Sequence, residues 1–350
     1  MDYTNYTLHQ SYPHRELNRV PADLSQFWVI TIISNPQRYK RRYELYWRFA
    51  EMCKQAGVNL ITVEQAFGHR QFMVTEAGNP HHLQIHSTEE LWLKENLINL
   101  GIKQACRIAP RGVREVAWVD ADCRPTRTPR DWFEETWHQL QHYEFVQMWE
   151  NLIDLDINFN PIGKAQPSFM ANYVKYGTPN PEEFRKIEKQ NAFSYPYGSK
   201  IFGRPGLAWA ANLDAYNKVG GLIDFAILGA GDWYMAHGLV GSLESARSEY
   251  ADGPYMRKLL QWQDRAQKYI KRDVGYVSGT VYHDFHGRKA LRQYGTRGKI
   301  LSDCKYDPDI DIKYDAQGML QLCTWDDRQI ALRDKLRGYM AARNEDSIDL

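Results

Sequence analysis

No apolar run in the sequence approaches the roughly 20 residues needed to cross a bilayer, so a membrane-spanning role is set aside. Met1 to His14 is polar and has no apolar core, so no secretory leader is expected there. Cysteine is scarce: Cys53, Cys106, Cys123, Cys304 and Cys323 are odd in number, scattered, and form no C-x-x-C pair. That argues against a disulfide framework or a zinc ribbon, and favours a reducing, cytoplasmic setting. Internal repeats and low-complexity tracts are also missing, which excludes a repeat architecture. No obligate protein partner is evident.

Aromatic residues, by contrast, are plentiful: 13% of the chain, with 11 Trp and 22 Tyr. Their flat apolar faces and polar edges suit sugar rings and nucleobases, and they equally suit an aromatic-rich core. A net charge of +1 hides a segregation. Between Arg257 and Lys299 the cations Arg257, Lys258, Arg265, Lys268, Lys271, Arg272, Arg288, Lys289, Arg292, Arg297 and Lys299 face only Asp264, Asp273 and Asp284. Such a run forms either a solvated helix face or a surface for phosphate groups or nucleic acid.

With 350 residues, the chain can form one large α/β domain with appendages or two modest domains. After a polar lead-in over 1–26, Phe27-Trp-Val-Ile-Thr-Ile-Ile33 reads as a buried strand ended by Ser34-Asn-Pro36. Helical spacing follows from Gln37 to Ala56 and stops at Gly57, and Val58 to Ala66 returns to strand character. This β-α-β opening points to a parallel sheet flanked by helices. Ser87-Thr-Glu-Glu90 has the form of a capping box that launches a helix to about Ile108, before a strand from Val113 to Val119. A proline-rich middle from Asn151 to Tyr197, glycine-rich turns between Gly203 and Gly231, and a helix from Arg328 to Arg343 complete the chain.

Three blocks carry the chemistry. The first is Val116-Ala-Trp-Val-Asp-Ala-Asp-Cys123, where Asp120 and Asp122 stand at a strand's carboxyl end, the edge where ligands bind in open α/β sheets. Two carboxylates so placed can share a hard cation, Mn²⁺ or Mg²⁺, whose shell phosphate oxygens complete. Asp154-Leu-Asp156 and Asp307-Pro-Asp309 repeat the bare pattern, so context must decide. The second block is Ile227-Leu-Gly-Ala-Gly-Asp-Trp-Tyr-Met-Ala236, in which Asp232 opens a helix as either a cap or a general base. The third is Val281-Tyr-His-Asp-Phe-His-Gly287, whose histidines are metal ligands or partner-satisfied surface groups.

Taken in order, these blocks resemble inverting GT-A glycosyltransferases, particularly the β-1,4-galactosyltransferase and polypeptide N-acetylgalactosaminyltransferase group. Lys94-Glu-Asn-Leu-Ile-Asn-Leu-Gly101 is similar to a K-L-L-N-x-G helix that precedes the D-x-D strand in the former. Gly206 through Asp232 is similar to a G-G-x-x-x-L and G-G-E-D region, and His283-Asp-Phe285 to an H-x-F-R segment of the latter. The resemblance implies a Rossmann-like nucleotide-binding sheet over 27–301, divided into a nucleotide-sugar half (27–123) and an acceptor half (124–301). It covers nothing in the C-terminal extension, 302–350. By the same resemblance Asp122, Asp120 and His283 would hold the metal, with His286 as substitute. Thr31, Glu64, Lys94, Asn99 and Asp120 would bind the donor, most simply a UDP-sugar, and Asp232 would be the base. Gly206, Trp209, Gly231 and Trp233 would face the acceptor. The acidic pair of G-E-D is reduced here to Gly231-Asp232, with Trp233 following.

The implied reaction transfers a sugar to an acceptor hydroxyl with inversion. The acceptor is either a hydroxymethylated base in DNA, as in virus-encoded enzymes, read through phosphates by the basic segment, or a glycan read by the aromatic residues. Two other readings stay open: a nucleotidyltransferase acting on sugar phosphates, and a non-catalytic sugar- or nucleic-acid-binding protein.

Overall fold

The computed structural model describes residues 21–177, 203–245, 250–323 and 326–348. Most of the lead-in (1–20) and the later part of the proline-rich middle (178–202) lie outside the described residues. The apolar run forms β1 (Phe27–Ser34), followed by α1 (Lys40–Ala56). As expected, α1 ends at Gly57, whose φ of 70° is the left-handed conformation that glycine adopts without a Cβ penalty. Strand β2 (Asn59–Phe67) pairs in parallel with β1, and β3 (His82–Ser87) extends the sheet in the same sense.

The next helix corrects the capping-box expectation. Ser87 ends β3, and its Oγ accepts a hydrogen bond from the Glu89 N–H (3.2 Å) in a local turn. Helix α2 (Lys94–Ile108) opens only after Leu93, with no side-chain cap. Serine–backbone turns compete with helix starts for the same donors, which explains the misreading. Gly101 lets α2 lie against the sheet: a Cβ there would fall 2.5 Å from Ile30 Cγ2 and 2.9 Å from Val63 Cγ2.

Strand β4 (Glu115–Val119) returns beside β1 in parallel, and delivers Asp120 and Asp122 to the sheet's carboxyl edge. After it come β5 (Cys123–Pro125), α3 (Pro129–Leu140, capped by Thr128), β6 (Phe145–Gln147), β7 (Asn151–Leu155), β8 (Pro161–Pro167) and α4 (Phe169–Tyr176). The chain continues through β9 (Ala208–Asn212), α5 (Leu213–Val219), α6 (Gly231–Val240), α7 (Gly253–Tyr269), β10 (Val274–Tyr276) and β11 (Thr280–His283). It closes with α8 (Lys299–Asp303), the β12–β13 hairpin (Ile312–Tyr314 and Leu320–Leu322) and α9 (Asp327–Ala342).

Seven strands form the main sheet in the order β10-β6-β9-β4-β1-β2-β3, with β9 antiparallel to both β4 and β6. Alternate residues of β1 enter opposite cores, as the two-residue strand period requires. Phe27 and Val29 pack with Phe49 of α1 and Phe133 of α3, whereas Trp28 and Ile30 pack with Leu97 and Ile98 of α2. Leu332, Leu336 and Tyr339 of α9 belong to the second of these cores. The result is the helix-flanked, Rossmann-like sheet that the GT-A resemblance implies, carrying a C-terminal helical extension. No helix among the described residues is long and apolar enough to cross a membrane.

A smaller sheet, β5-β11-β7-β8, positions the histidines. In its register His283 lies between Cys123 of β5 and Asp154 of β7. Directly paired residues project to the same face, so His283 and Asp154 meet there.

Candidate active site

At the end of β4 the backbone turns tightly, with the Cys123 N–H bonded to the Asp120 carbonyl (3.0 Å). Asp122 Oδ2 lies 2.7 Å from His286 Nε2 and 3.7 Å from His283 Nε2. The two Nε2 atoms are 3.3 Å apart. One ligand atom from each of Asp122, His283 and His286 falls within 4.8 Å of the others. Asp122 Oδ1 is buried and accepts no hydrogen bond. His286, expected only as a substitute, thus stands closer to Asp122 than His283 does.

The far side of each imidazole faces another carboxylate. His283 Nδ1 is 2.7 Å from Asp154 Oδ1, and His286 Nδ1 is 3.6 Å from Glu345 Oε2. Arg204, Lys289 and Gln166 hold Asp154. Arg42 and Arg343 hold Glu345, with Nη2–Oε1 and Nε–Oε1 distances of 2.7 and 2.6 Å. Burial alone would raise these acids. The cations and imidazoles around them prevail, and Asp122, Asp154 and Glu345 all sit well below the usual carboxylate range. Burial lowers His283 to about 4, against the opposing pull of Asp154 and Asp122, so its imidazole is neutral near pH 7. Arg292, buried with its Nε unpartnered, adds positive charge on the Asp122 side.

Asp120 is placed differently. Lys94 Nζ meets its carboxylate at 2.5 and 2.7 Å, and its N–H donates to the Leu207 carbonyl at 2.8 Å. Burial pushes Asp120 up, Lys94 opposes, and neighbouring Asp122 adds to the rise. Lys94 is itself pushed up: burial works against its charge, but Asp120 and Asp232 outweigh it. Beside this pair a small pocket is lined by Lys94, Glu95, Gly206, Trp209, Gly231 and Asp232 among others. Burial raises Glu95 to about 8, with Lys94 opposing and Asp232 reinforcing.

Asp232 is the second residue of α6 and not its cap, since the cap position belongs to Ala230, at φ 68° and without a side-chain bond. Its Oδ1 accepts from the Trp233 N–H (2.8 Å), while Oδ2 approaches Gly206 so closely that a Cβ there would lie 2.5 Å away. Gly231 plays the same part toward Glu95, at 2.4 Å from such a Cβ. Trp209 is buried in β9 with its Nε1 donating to the Pro205 carbonyl (2.6 Å), and Trp233 packs on His237 with ring centroids 4.3 Å apart.

The remaining donor-side candidates are built into the scaffold. Thr31 Oγ1 donates to the Val119 carbonyl (2.9 Å), bracing β4 just before Asp120. The Glu64 carboxylate accepts from the N–H groups of Met73, Val74 and Thr75 and from the Thr75 hydroxyl. Asn99 accepts from Tyr216 and the Leu222 N–H and donates to the Leu222 carbonyl, so it supports the Gly220-Gly221 turn.

Sequence reasoning missed Asp154, Glu345, Glu95 and the arginines around them. Asp154 was visible only as one of several bare D-x-D pairs, and its partner His283 is 129 positions away. Glu95 lay inside the quoted Lys94–Gly101 pattern, which gave it no role. Glu345 lies beyond the reach of the resemblance and carried no local signal.

No family model matches the chain, and no curated protein matches it. Among solved structures it is similar to a Drosophila β-1,4-galactosyltransferase 7 mutant in complex with manganese, UDP-Gal and xylobiose. That similarity has 11% identity and a TM-score of 0.36, and covers 88% of this chain and 98% of that one. It is also similar to a nucleotide-diphospho-sugar transferase assigned in Desulfovibrio desulfuricans, at 8% identity and a TM-score of 0.27, covering 90% and 98% of the two chains. Likenesses at this level carry no residue role, ligand or activity over to this chain.

Proposed function

We propose that this chain is a metal-dependent glycosyltransferase that moves a sugar from a nucleoside diphosphate to an acceptor hydroxyl. The observation that carries the reading is the convergence of Asp122, His283 and His286, with a buried carboxylate oxygen left unpartnered among them. Both Nε2 atoms and the Asp122 carboxylate face one place, with Asp154 and Glu345 behind the rings. A cation at that place would replace the proton shared between His286 and Asp122 and draw in both imidazoles. A mixed imidazole and carboxylate set suits Mn²⁺ better than Mg²⁺, which prefers an all-oxygen shell.

A divalent ion held there supplies positive charge to the diphosphate as it departs. The protein's own groups do the rest. Lys94 and Arg292 add charge on the same side, and Asp120, fixed by Lys94, presents a carboxylate edge to the donor. Asp232, across the pocket, takes the proton from the acceptor hydroxyl. Attack from the Asp232 side, opposite the leaving diphosphate, would invert the anomeric carbon. Gly206 and Gly231 keep the walls free of side chains, and Trp209, buried in β9 behind them, supports the pocket from the core. Thr31 and Asn99 support the site through backbone hydrogen bonds to Val119 and Leu222, and Glu64 fastens the 73–75 loop.

The acceptor reading turns on the basic segment. Arg257 and Lys258 pair with Asp309, Arg265 binds the Val219 carbonyl, Lys289 pairs with Asp154, and Arg297 donates to Tyr339. These internal bonds account for much of the run, and no observation favours DNA over a glycan acceptor.

The test is a panel of nucleotide sugars with and without Mn²⁺, read by thermal shift and by product release. The parent should bind a donor only with Mn²⁺ and release a nucleoside diphosphate. Asp122→Asn should lose Mn²⁺ binding, whereas Asp232→Asn should abolish transfer and keep metal-dependent donor binding. Pyrophosphate release would identify a nucleotidyltransferase instead. Equal loss of donor binding in Asp232→Asn would reduce Asp232 to a structural role.

A further inference from the structure

Resting on the metal-site reading above, we infer that Asp154 and, from the C-terminal extension, Glu345 are positioning residues: Asp154 fixes the tautomer of His283, and Glu345 backs the ring of His286. Each imidazole offers Nε2 to the site and turns Nδ1 toward a buried carboxylate: Asp154 at 2.7 Å and Glu345 at 3.6 Å. A carboxylate can only accept, so Asp154 favours the His283 proton on Nδ1 and leaves that Nε2 lone pair free for a cation; at His286, Asp122 competes from 2.7 Å on the Nε2 side, and Glu345 is the acceptor that remains once a cation takes the Asp122 oxygens. Both carboxylates are in turn held by two cations, Lys289 and Arg204 for Asp154, Arg42 and Arg343 for Glu345. The same three-layer construction, built from unrelated parts of the chain, serves both histidines.

Glu345 reaches its place because the segment around it is fastened at three points. The Asp346 carboxylate accepts from the Lys40 and Arg41 N–H groups, both at 2.9 Å, and so caps the otherwise uncapped start of α1. The Asn344 N–H donates to the Tyr39 hydroxyl (3.0 Å). Gly287, one residue past His286, has φ 85°, and a Cβ there would lie 2.8 Å from Glu345 Cα and 2.9 Å from the Asn344 carbonyl oxygen. Backbone therefore meets backbone directly behind the histidine. The extension that carries no recognisable motif supplies part of the site's outer shell.

The experiment measures Mn²⁺ affinity by the electron paramagnetic resonance of free Mn²⁺, and imidazole tautomers by ¹⁵N NMR of the metal-free protein. In the metal-free parent, His283 should carry its proton on Nδ1. Asp154→Asn should mix the His283 tautomers, and both Asp154→Asn and Glu345→Gln should weaken Mn²⁺ binding by about 10–100-fold. Asp346→Ala, which leaves every charged partner of Glu345 intact, should weaken it several-fold, and decides the matter if Glu345→Gln does not fold. Parent-like Mn²⁺ affinity in a folded Glu345→Gln variant, or in Asp346→Ala if that variant does not fold, overturns this inference and leaves the metal site standing. A parent that binds no Mn²⁺ overturns the metal-site reading, and this inference with it.

Discussion

Replacing Gly206 with alanine isolates the position of Asp232 from its chemistry. A Cβ at residue 206 would stand 2.5 Å from Asp232 Oδ2 and 3.7 Å from its Cγ. Ordinary van der Waals contact begins near 3.4 Å, so the carboxylate must retreat by about 1 Å, a displacement that can cost ~10²-fold in rate when a catalytic group is misplaced. The obstruction is the end of a side chain, not backbone, so the fold should survive with little loss of stability. Donor binding should also survive, because Lys94, Asp120 and Asp122 are untouched. The assay is steady-state release of nucleoside diphosphate with Mn²⁺ present, water serving as acceptor. Gly206→Ala should lower kcat by about 10²-fold at nearly constant donor KM, which corresponds to roughly 3 kcal/mol of transition-state stabilisation. A variant that keeps kcat within a factor of about two would refute the placement of Asp232 as base. A variant whose donor KM rises while kcat holds would move Asp232 from the acceptor side to the donor side.

Acid stability should depend on His237, which is fully buried between the rings of Phe169 and Trp233. Burial lowers its imidazole from 6.5 to about 3. The unfolded chain takes up this proton below 6.5 and the folded one does not, so the stability is intact above 6.5 and is lost progressively as pH falls toward 3. At pH 5 the loss is about 2 kcal/mol, and His237→Gln should show that much less acid sensitivity in urea titrations at pH 7 and pH 5; equal sensitivity would sink the argument. Gly101→Ala should destabilise the chain by about 1–3 kcal/mol, because its Cβ would meet the fully buried Ile30 and Val63 side chains. A shift in urea midpoint worth less than about 0.5 kcal/mol would show that α2 can move off the sheet freely.

What the sequence made legible was local. The β1-α1-β2 opening, the stop at Gly57, and the carboxylates at the end of β4 follow from period, capping and strand-end placement, all signals within about 20 residues. The histidine pair was visible as spacing, but which ring lies nearer Asp122 was not, because His286 lies beyond β11, in a loop whose path depends on Gly287 and the segment behind it. The start of α2 failed for a nearby reason: Ser87 could cap a helix or close a turn, and the parallel pairing of β3 with β2 chose the turn. Asp154 and Glu345 were beyond reach altogether. Their roles come from strand register and from chain segments meeting across long separations, which one sequence does not encode in any short window.

The clasp between Arg42 and Glu345 also sets an order in time. It joins residues 303 positions apart, whereas β1, α1 and β2 assemble from neighbours along the chain. Contacts that close long loops carry the larger entropic cost and form once other packing has shortened the effective span. A refolding chain should therefore recover its helical signal before it recovers tight Mn²⁺ binding, and simultaneous recovery would contradict this sequence of events. Until the clasp closes, both imidazoles are present but one of them has no carboxylate behind its ring.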